Sequence, residues 1–223
     1  MSGQPLEQRT YPAELVAVEL RADGDGPRAV SWYPALFDSL SEDLGGFRER
    51  IGRRAFSKTL AEREVKSFVN HDPNQILGRT ERGTLKVSVD VRGLRAETAL
   101  PDTSYARDLI VNIDSGNISG GSFMFRATDD RWEMEDLDGV ETLVRTVREA
   151  QLYEVSLVTM PAYPATEGSA QLRSVAEEWR QKLTQPAPET EEAARQAARL
   201  LEIERRKRRL NLLRLKEGKR CLR

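Results

Sequence analysis

Asn117-Ile118-Ser119-Gly120-Gly121-Ser122-Phe123-Met124-Phe125 sets a hydroxyl after two glycines and directly before an alternating apolar run. The alternation predicts a strand, with Ser122 and Met124 on one side and Phe123 and Phe125 turned to the core. With no Cβ in the way, backbone N–H groups at the paired glycines can approach a developing oxyanion closely. Ser122 is therefore the preferred nucleophile, and Ser119, on the opposite side by alternation, is its competitor. The plainer reading makes Ser119–Ser122 a bulge or tight turn that opens a strand.

A serine hydroxyl is a poor nucleophile at neutral pH and needs a base and a group that orients the base. The chain has one histidine, His71, in the polar turn Asn70-His71-Asp72-Pro73 at the end of an expected strand, Val65–Asn70. Asp72 is a candidate orienter, but neighbours in sequence tend to point apart, which favours a turn-forming role. Glu154 lies in the apolar run Glu149–Val158. A carboxylate buried there needs a partner: an imidazole N–H, Arg145, Arg148 or a backbone amide. One histidine excludes multi-histidine zinc sites, and no Asp-x-Asp-x-Asp-Gly calcium loop is present. No metal and no cofactor is expected.

The remaining sequence bounds the setting. At 223 residues the chain can bury one good-sized core and carry an appendage. Charge is nearly balanced, 35 basic against 36 acidic side chains, so any nucleic-acid or anionic-membrane bias must be local. The single cysteine, Cys221, cannot close an internal disulfide, which fits a reducing compartment. No run of about 18 apolar residues and no secretory leader is seen, so a soluble, intracellular protein is expected.

Residues 1–10 are polar and expected to be disordered. Glu14–Leu20 and Ala29–Tyr33 read as a hairpin across the turn Asp23–Pro27. A helix is expected from Ala55 to about Glu64. Gly83–Val91 and Leu94–Leu100 read as a second hairpin, with Leu85, Val87, Val89 and Val91 on one side. Asp102 or Thr103 caps a helix that carries Tyr105, Leu109, Ile110 and Ile113 on its apolar stripe and ends near Gly116. Arg126–Val140 reads as a polar strand with a solvated acidic loop, followed by strands through Val158. After Ala165 the composition changes: Ser174–Leu183 is helical, Gln185-Pro186-Ala187-Pro188 breaks it, and Glu189–Glu217 forms a long charged helix with the basic run Arg205–Arg209. Mixed glutamate and arginine along that helix favour a partner helix or a solvated arm over a nucleic-acid reader.

Three segments, in order and spacing, resemble the prohead (procapsid maturation) serine proteases of tailed bacteriophages, a family related to the herpesvirus assemblin proteases. They are Asn70-His71-Asp72 with Ile76-Leu77-Gly78, the Gly-x-Ser-Phe-x-Phe strand at Gly120–Phe125, and Glu154-Val155-Ser156-Leu157-Val158-Thr159-Met160-Pro161-Ala162. The resemblance spans roughly residues 12–168. It implies an α+β fold, with an antiparallel β-barrel-like core, flanking helices and a long C-terminal helix. Residues 11–170 are then the protease domain and 171–223 a charged helical tail removable by self-cleavage. The resemblance gives His71 the role of base and Ser122 that of nucleophile, and it places Glu154 third in the triad. Met124 stands where the family strand often has glycine, which bears on the shape of the substrate cleft.

The resemblance further implies a serine endopeptidase that cleaves phage scaffold and capsid protein extensions, and itself, inside an assembling procapsid in the bacterial cytoplasm. No membrane partner is expected, self-association is left open, and nucleic acid is expected at most weakly through Arg205–Arg209. The alternative is a catalytically inactive assembly protein that binds shell subunits through its C-terminal helix.

Overall fold

The computed structural model describes residues 5–11, 19–21, 28–159 and 169–184. Contacts divide the chain into two units, Met1–Arg180 and Gln181–Arg223. Of the second unit only residues 181–184 are described.

The element order is β1 (Glu7–Tyr11), β2 (Glu19–Arg21), β3 (Ala29–Leu36), β4 (Arg48–Ile51), α1 (Ser57–Glu62), β5 (Lys66–Val69), β6 (Asp72–Arg79), β7 (Leu85–Val89), β8 (Gly93–Ala99), α2 (Ser104–Asp114), β9 (Gly120–Leu137), β10 (Val140–Val158) and α3 (Ser169–Thr184). One sheet runs β1-β9-β10-β5-β6, with β4 also on β10, and the other runs β2-β3-β8-β7. The fold is thus mostly sheet with few helices, in the α+β class.

The strand β10 organises the first sheet. Along one edge it pairs antiparallel with β9, through a tight turn at Asp138-Gly139 where both residues have positive φ, 56° and 86°. That dipeptide suits a two-residue hairpin, because the primed turns require left-handed backbone. Its other edge takes two short strands in succession, β4 beside Val144–Val147 and β5 beside Glu154–Leu157, both parallel to it. Here the structure corrects the expected antiparallel barrel. The sheet is mixed, and the two sheets do not close into a barrel. A strand of 19 residues outruns its short neighbours, so two chain segments arriving from the same direction share its free edge.

The alternation in Ser122–Phe125 builds the core. Phe123 and Phe125 are fully buried and stack on each other, with ring centroids 5.0 Å apart. They share one apolar cluster with Leu152, Val155 and Leu157 of the same sheet and with Trp32, Leu94 and Ala96 of the second sheet. Each such side chain contributes about 1.5–3 kcal/mol by leaving water. A smaller cluster joins Phe47, Trp132 and Leu143 to Leu172 and Ala176 of α3.

Most expected elements are present. The helix α2 is capped by Thr103, whose hydroxyl accepts from the Ala106 amide, and Gly116 takes a left-handed φ of 73° just beyond its end. In β7 the expected apolar face is only partly buried: Leu85 is 2% exposed but Val89 is 42%, because β7 is an edge strand. Residues 1–10 were expected to be disordered, but Glu7–Tyr11 form β1, in register with Gly121–Phe125 of β9. Buried ion pairs to Glu7 hold a segment whose polarity reads as disorder. The expected helix at 189–217 and its basic run lie outside the described residues. No described helix is long and apolar enough to cross a membrane.

Candidate active site

His71 stands at a two-residue hairpin turn. Val69 and Asp72 are paired across it, and both turn residues, Asn70 and His71, have positive φ, 50° and 60°. The turn is fastened to the end of β10: the Asn70 amide donates to the Leu157 carbonyl at 2.9 Å, and Asn70 Oδ1 accepts from the Thr159 amide at 3.0 Å. This fixes where the imidazole leaves the backbone. Asp72 turns the other way, its Oδ1 accepting from the Asn74 amide and side chain at 2.8 and 2.9 Å, so it serves the turn and does not orient His71.

Glu154 reaches the site because of a bulge. Leu152 is opposite Phe125 and Glu154 is opposite Met124, which leaves Tyr153 as an extra residue between them. In a regular strand Leu152 and Glu154 would share a face. One inserted residue reverses the parity, so Leu152 stays in the core while Glu154 and Ser156 turn to the face that carries Met124 and Ser122.

On that face the Nδ1 of His71 lies 2.5 Å from Oε1 of Glu154. Their side chains are 15% and 7% exposed. An ionised carboxylate only accepts, so Nδ1–H is the donor, and in the neutral imidazole Nε2 is the nitrogen with the free lone pair. Nε2 is shielded from solvent and has no hydrogen-bond partner among the described residues. The second carboxylate oxygen, Oε2, accepts from Ser156 Oγ at 2.6 Å. Neither arginine considered for Glu154 contacts it: Arg148 donates to Asp129, and Arg145 to Glu7, Glu49 and Asp130.

Ser122 lies directly opposite Ser156 and, on its other side, opposite Thr10 of β1. It is fully buried. Its hydroxyl does not meet the imidazole in this state. Oγ donates to the Arg9 carbonyl at 2.8 Å and accepts from Thr10 Oγ1 at 3.0 Å. Ser119, the competing hydroxyl, precedes β9 outside the ladder. The paired glycines also differ from their expected role. Gly121 is in register with Tyr11 on one side and Leu157 on the other, inside the sheet. A Cβ on Gly120 would fall 3.0 Å from Val158 Cγ2 and 3.3 Å from the Tyr11 carbonyl, so this glycine admits close strand packing. Among the described residues no group of three or more His, Cys, Asp or Glu is placed to hold a metal ion.

The sequence model of the caudovirus prohead serine protease family matches residues 16–181, most of the chain. The chain belongs to that family. No curated protein matches it. Among solved structures, the bacteriophage T4 capsid assembly protease gp21 is 13% identical, with a TM-score of 0.37, over 70% of this chain and 99% of that one.

Two features of this family member were not read from its sequence. Ser156 lies inside one of the three resembling segments, two residues from Glu154, but the bulge at Tyr153 that turns both toward His71 is announced by nothing in the local pattern. The cluster behind the site was missed entirely. Arg145, fully buried, donates to Glu7 at 2.6 and 3.0 Å, to Glu49 at 2.8 Å and to Asp130 at 2.8 Å, while Arg9 bridges Glu7 and Glu49. Burial alone would lower the Arg145 pKa, but the surrounding carboxylates raise it and hold the guanidinium charged. Burial, helped by neighbouring Glu49, pushes the Glu7 carboxyl above its usual value despite Arg145 and Arg9. The only signal would have been the coincidence of charges inside apolar strands, a pattern spread over some 140 residues of chain.

Proposed function

We propose that the protein is a serine endopeptidase that cleaves extensions of phage scaffold and capsid proteins during procapsid maturation. His71 is the base, Glu154 its orienter and Ser122 the nucleophile. The observation that carries this reading is the His71–Glu154 contact at 2.5 Å, which leaves Nε2 unpartnered on the sheet face shared by Ser122. In the reaction the Ser122 hydroxyl turns from the Arg9 carbonyl toward Nε2, gives up its proton and attacks the substrate carbonyl. The imidazolium returns that proton to the leaving amine, and water then resolves the acyl-enzyme. Self-cleavage, action inside the shell and kinship with the herpesvirus fold belong to the same proposal, supported by family membership and by the order of the three motifs.

The test is mass spectrometry of shell proteins co-expressed with wild-type or Ser122→Ala chains, alongside labelling with a fluorophosphonate. Loss of both processing and labelling in a folded variant is the expected result. Unchanged processing would reject the assignment of Ser122. A second reading, a silent assembly protein of the same fold, is favoured by one observation: the hydroxyl is engaged by β1 and not by His71. A wild-type chain that neither labels nor processes would support it.

A further inference from the structure

We infer that Ser156 is a positioning residue of this site, acting on His71 through the carboxylate of Glu154; the inference rests on the His71–Glu154 part of the proposed mechanism. Glu154 is 5% exposed, and its carboxylate has only acceptors to offer. One oxygen meets His71, and the other receives the Ser156 hydroxyl at 2.6 Å. Arg145 and Arg148, the cations of β10, are engaged elsewhere, and among the described residues no arginine fork fixes the carboxylate plane. A single hydroxyl does that instead.

Ser156 is itself held rigidly. It is fully buried and lies in the ladder between Ser122 on one side and Phe68 of β5 on the other. It shares its face with Glu154 two residues earlier, so a donor on a fixed strand meets a carboxylate on the same strand. This anchors Oε2, which leaves Oε1 directed at Nδ1 and keeps the proton there. Without the hydroxyl, Oε2 would be a buried acceptor with no donor, and the carboxylate would be free to turn away from the ring. Groups that orient a reacting side chain in this way typically cost about 10–100-fold in activity when removed, as known for the partners of metal-bound histidines.

The single histidine makes the test specific, because in the full-length chain labelled with ¹⁵N-histidine every imidazole signal belongs to His71. In the wild type the Nδ1-bound proton should resonate far downfield. In Ser156→Ala that resonance should move upfield or be lost to exchange, and fluorophosphonate labelling of Ser122 should slow by about 10–100-fold. Ser156→Thr, which keeps the hydroxyl, should restore both. If Ser156→Ala fails to fold, Ser156→Cys decides, since it keeps the volume with a much weaker donor and should show the same losses. A wild-type resonance and labelling rate in the folded alanine or cysteine variant would overturn the inference. If the wild type does not label, the assignment of Ser122 fails, while the resonance still decides the role of Ser156.

Discussion

Two consecutive left-handed residues without glycine are an expensive way to make a turn. Each costs about 1–2 kcal/mol in general, less for asparagine and histidine, which visit this region more readily than other side chains. Asn70 compensates by reaching Thr159 with its side chain and Leu157 with its amide, so the strain is held against the end of β10. Asn70→Ala should therefore lose both the tolerated backbone and the side-chain bond, at about 1–3 kcal/mol of stability, with slower fluorophosphonate labelling. Asn70→Gly should recover most of the stability but not the labelling rate, because glycine accepts the backbone angle without binding Thr159. Thermal melts and labelling rates of the two variants separate these effects. The polarity of Asn70–Pro73 made the turn legible, whereas its handedness and its anchor depend on a strand more than eighty residues away.

At the level of elements, the strand that carries Glu154 could be read from its apolar run, but the side to which Glu154 points could not. Strict alternation from Leu152 sends Glu154 into the core, and only the unpaired Tyr153 sends it out to His71. Deleting Tyr153 should leave Leu152 and Glu154 adjacent in a regular ladder, still opposite Phe125 and Met124, so the carboxylate should keep facing His71 and labelling of Ser122 should survive. Tyr153→Ala keeps the residue count and therefore the bulge, and should retain most of the labelling. Denaturant unfolding and probe kinetics on both variants check this. The parallel pairings of β4 and β5 with β10 were illegible for a related reason. Hairpins announce themselves by turn residues between adjacent strands, while parallel neighbours are joined through long intervening chain.

For the whole molecule, Arg145 gathers carboxylates from β1, β4 and β9 into one buried cluster behind the core strands. Removing it as Arg145→Ala leaves Glu7 and Glu49 buried without their main counter-charge, and should cost about 3–5 kcal/mol in urea unfolding. The Glu7 carboxyl gives a pH signature. Because burial raises its pKa in the folded chain, its stabilising contribution is present at acid pH and is lost as pH rises through the folded value. Glu7→Gln removes that dependence, so wild type should gain stability relative to the variant as pH falls toward the usual carboxylate range. Unfolding series at several pH values measure the difference.

The stretch matched by the family starts at residue 16, yet Glu7–Tyr11 already pairs with the strand that carries Ser122. A chain begun at the matched boundary would leave the backbone of Gly121–Phe125 open along a bare margin, a slot into which any extended peptide can zip. Such a shortened chain should self-associate more strongly than the full-length chain on size-exclusion chromatography. Supplying residues 5–11 as a free peptide should return it to the full-length elution position. Glu7–Tyr11 would then act as a built-in stopper that keeps neighbouring molecules from sharing a sheet along β9.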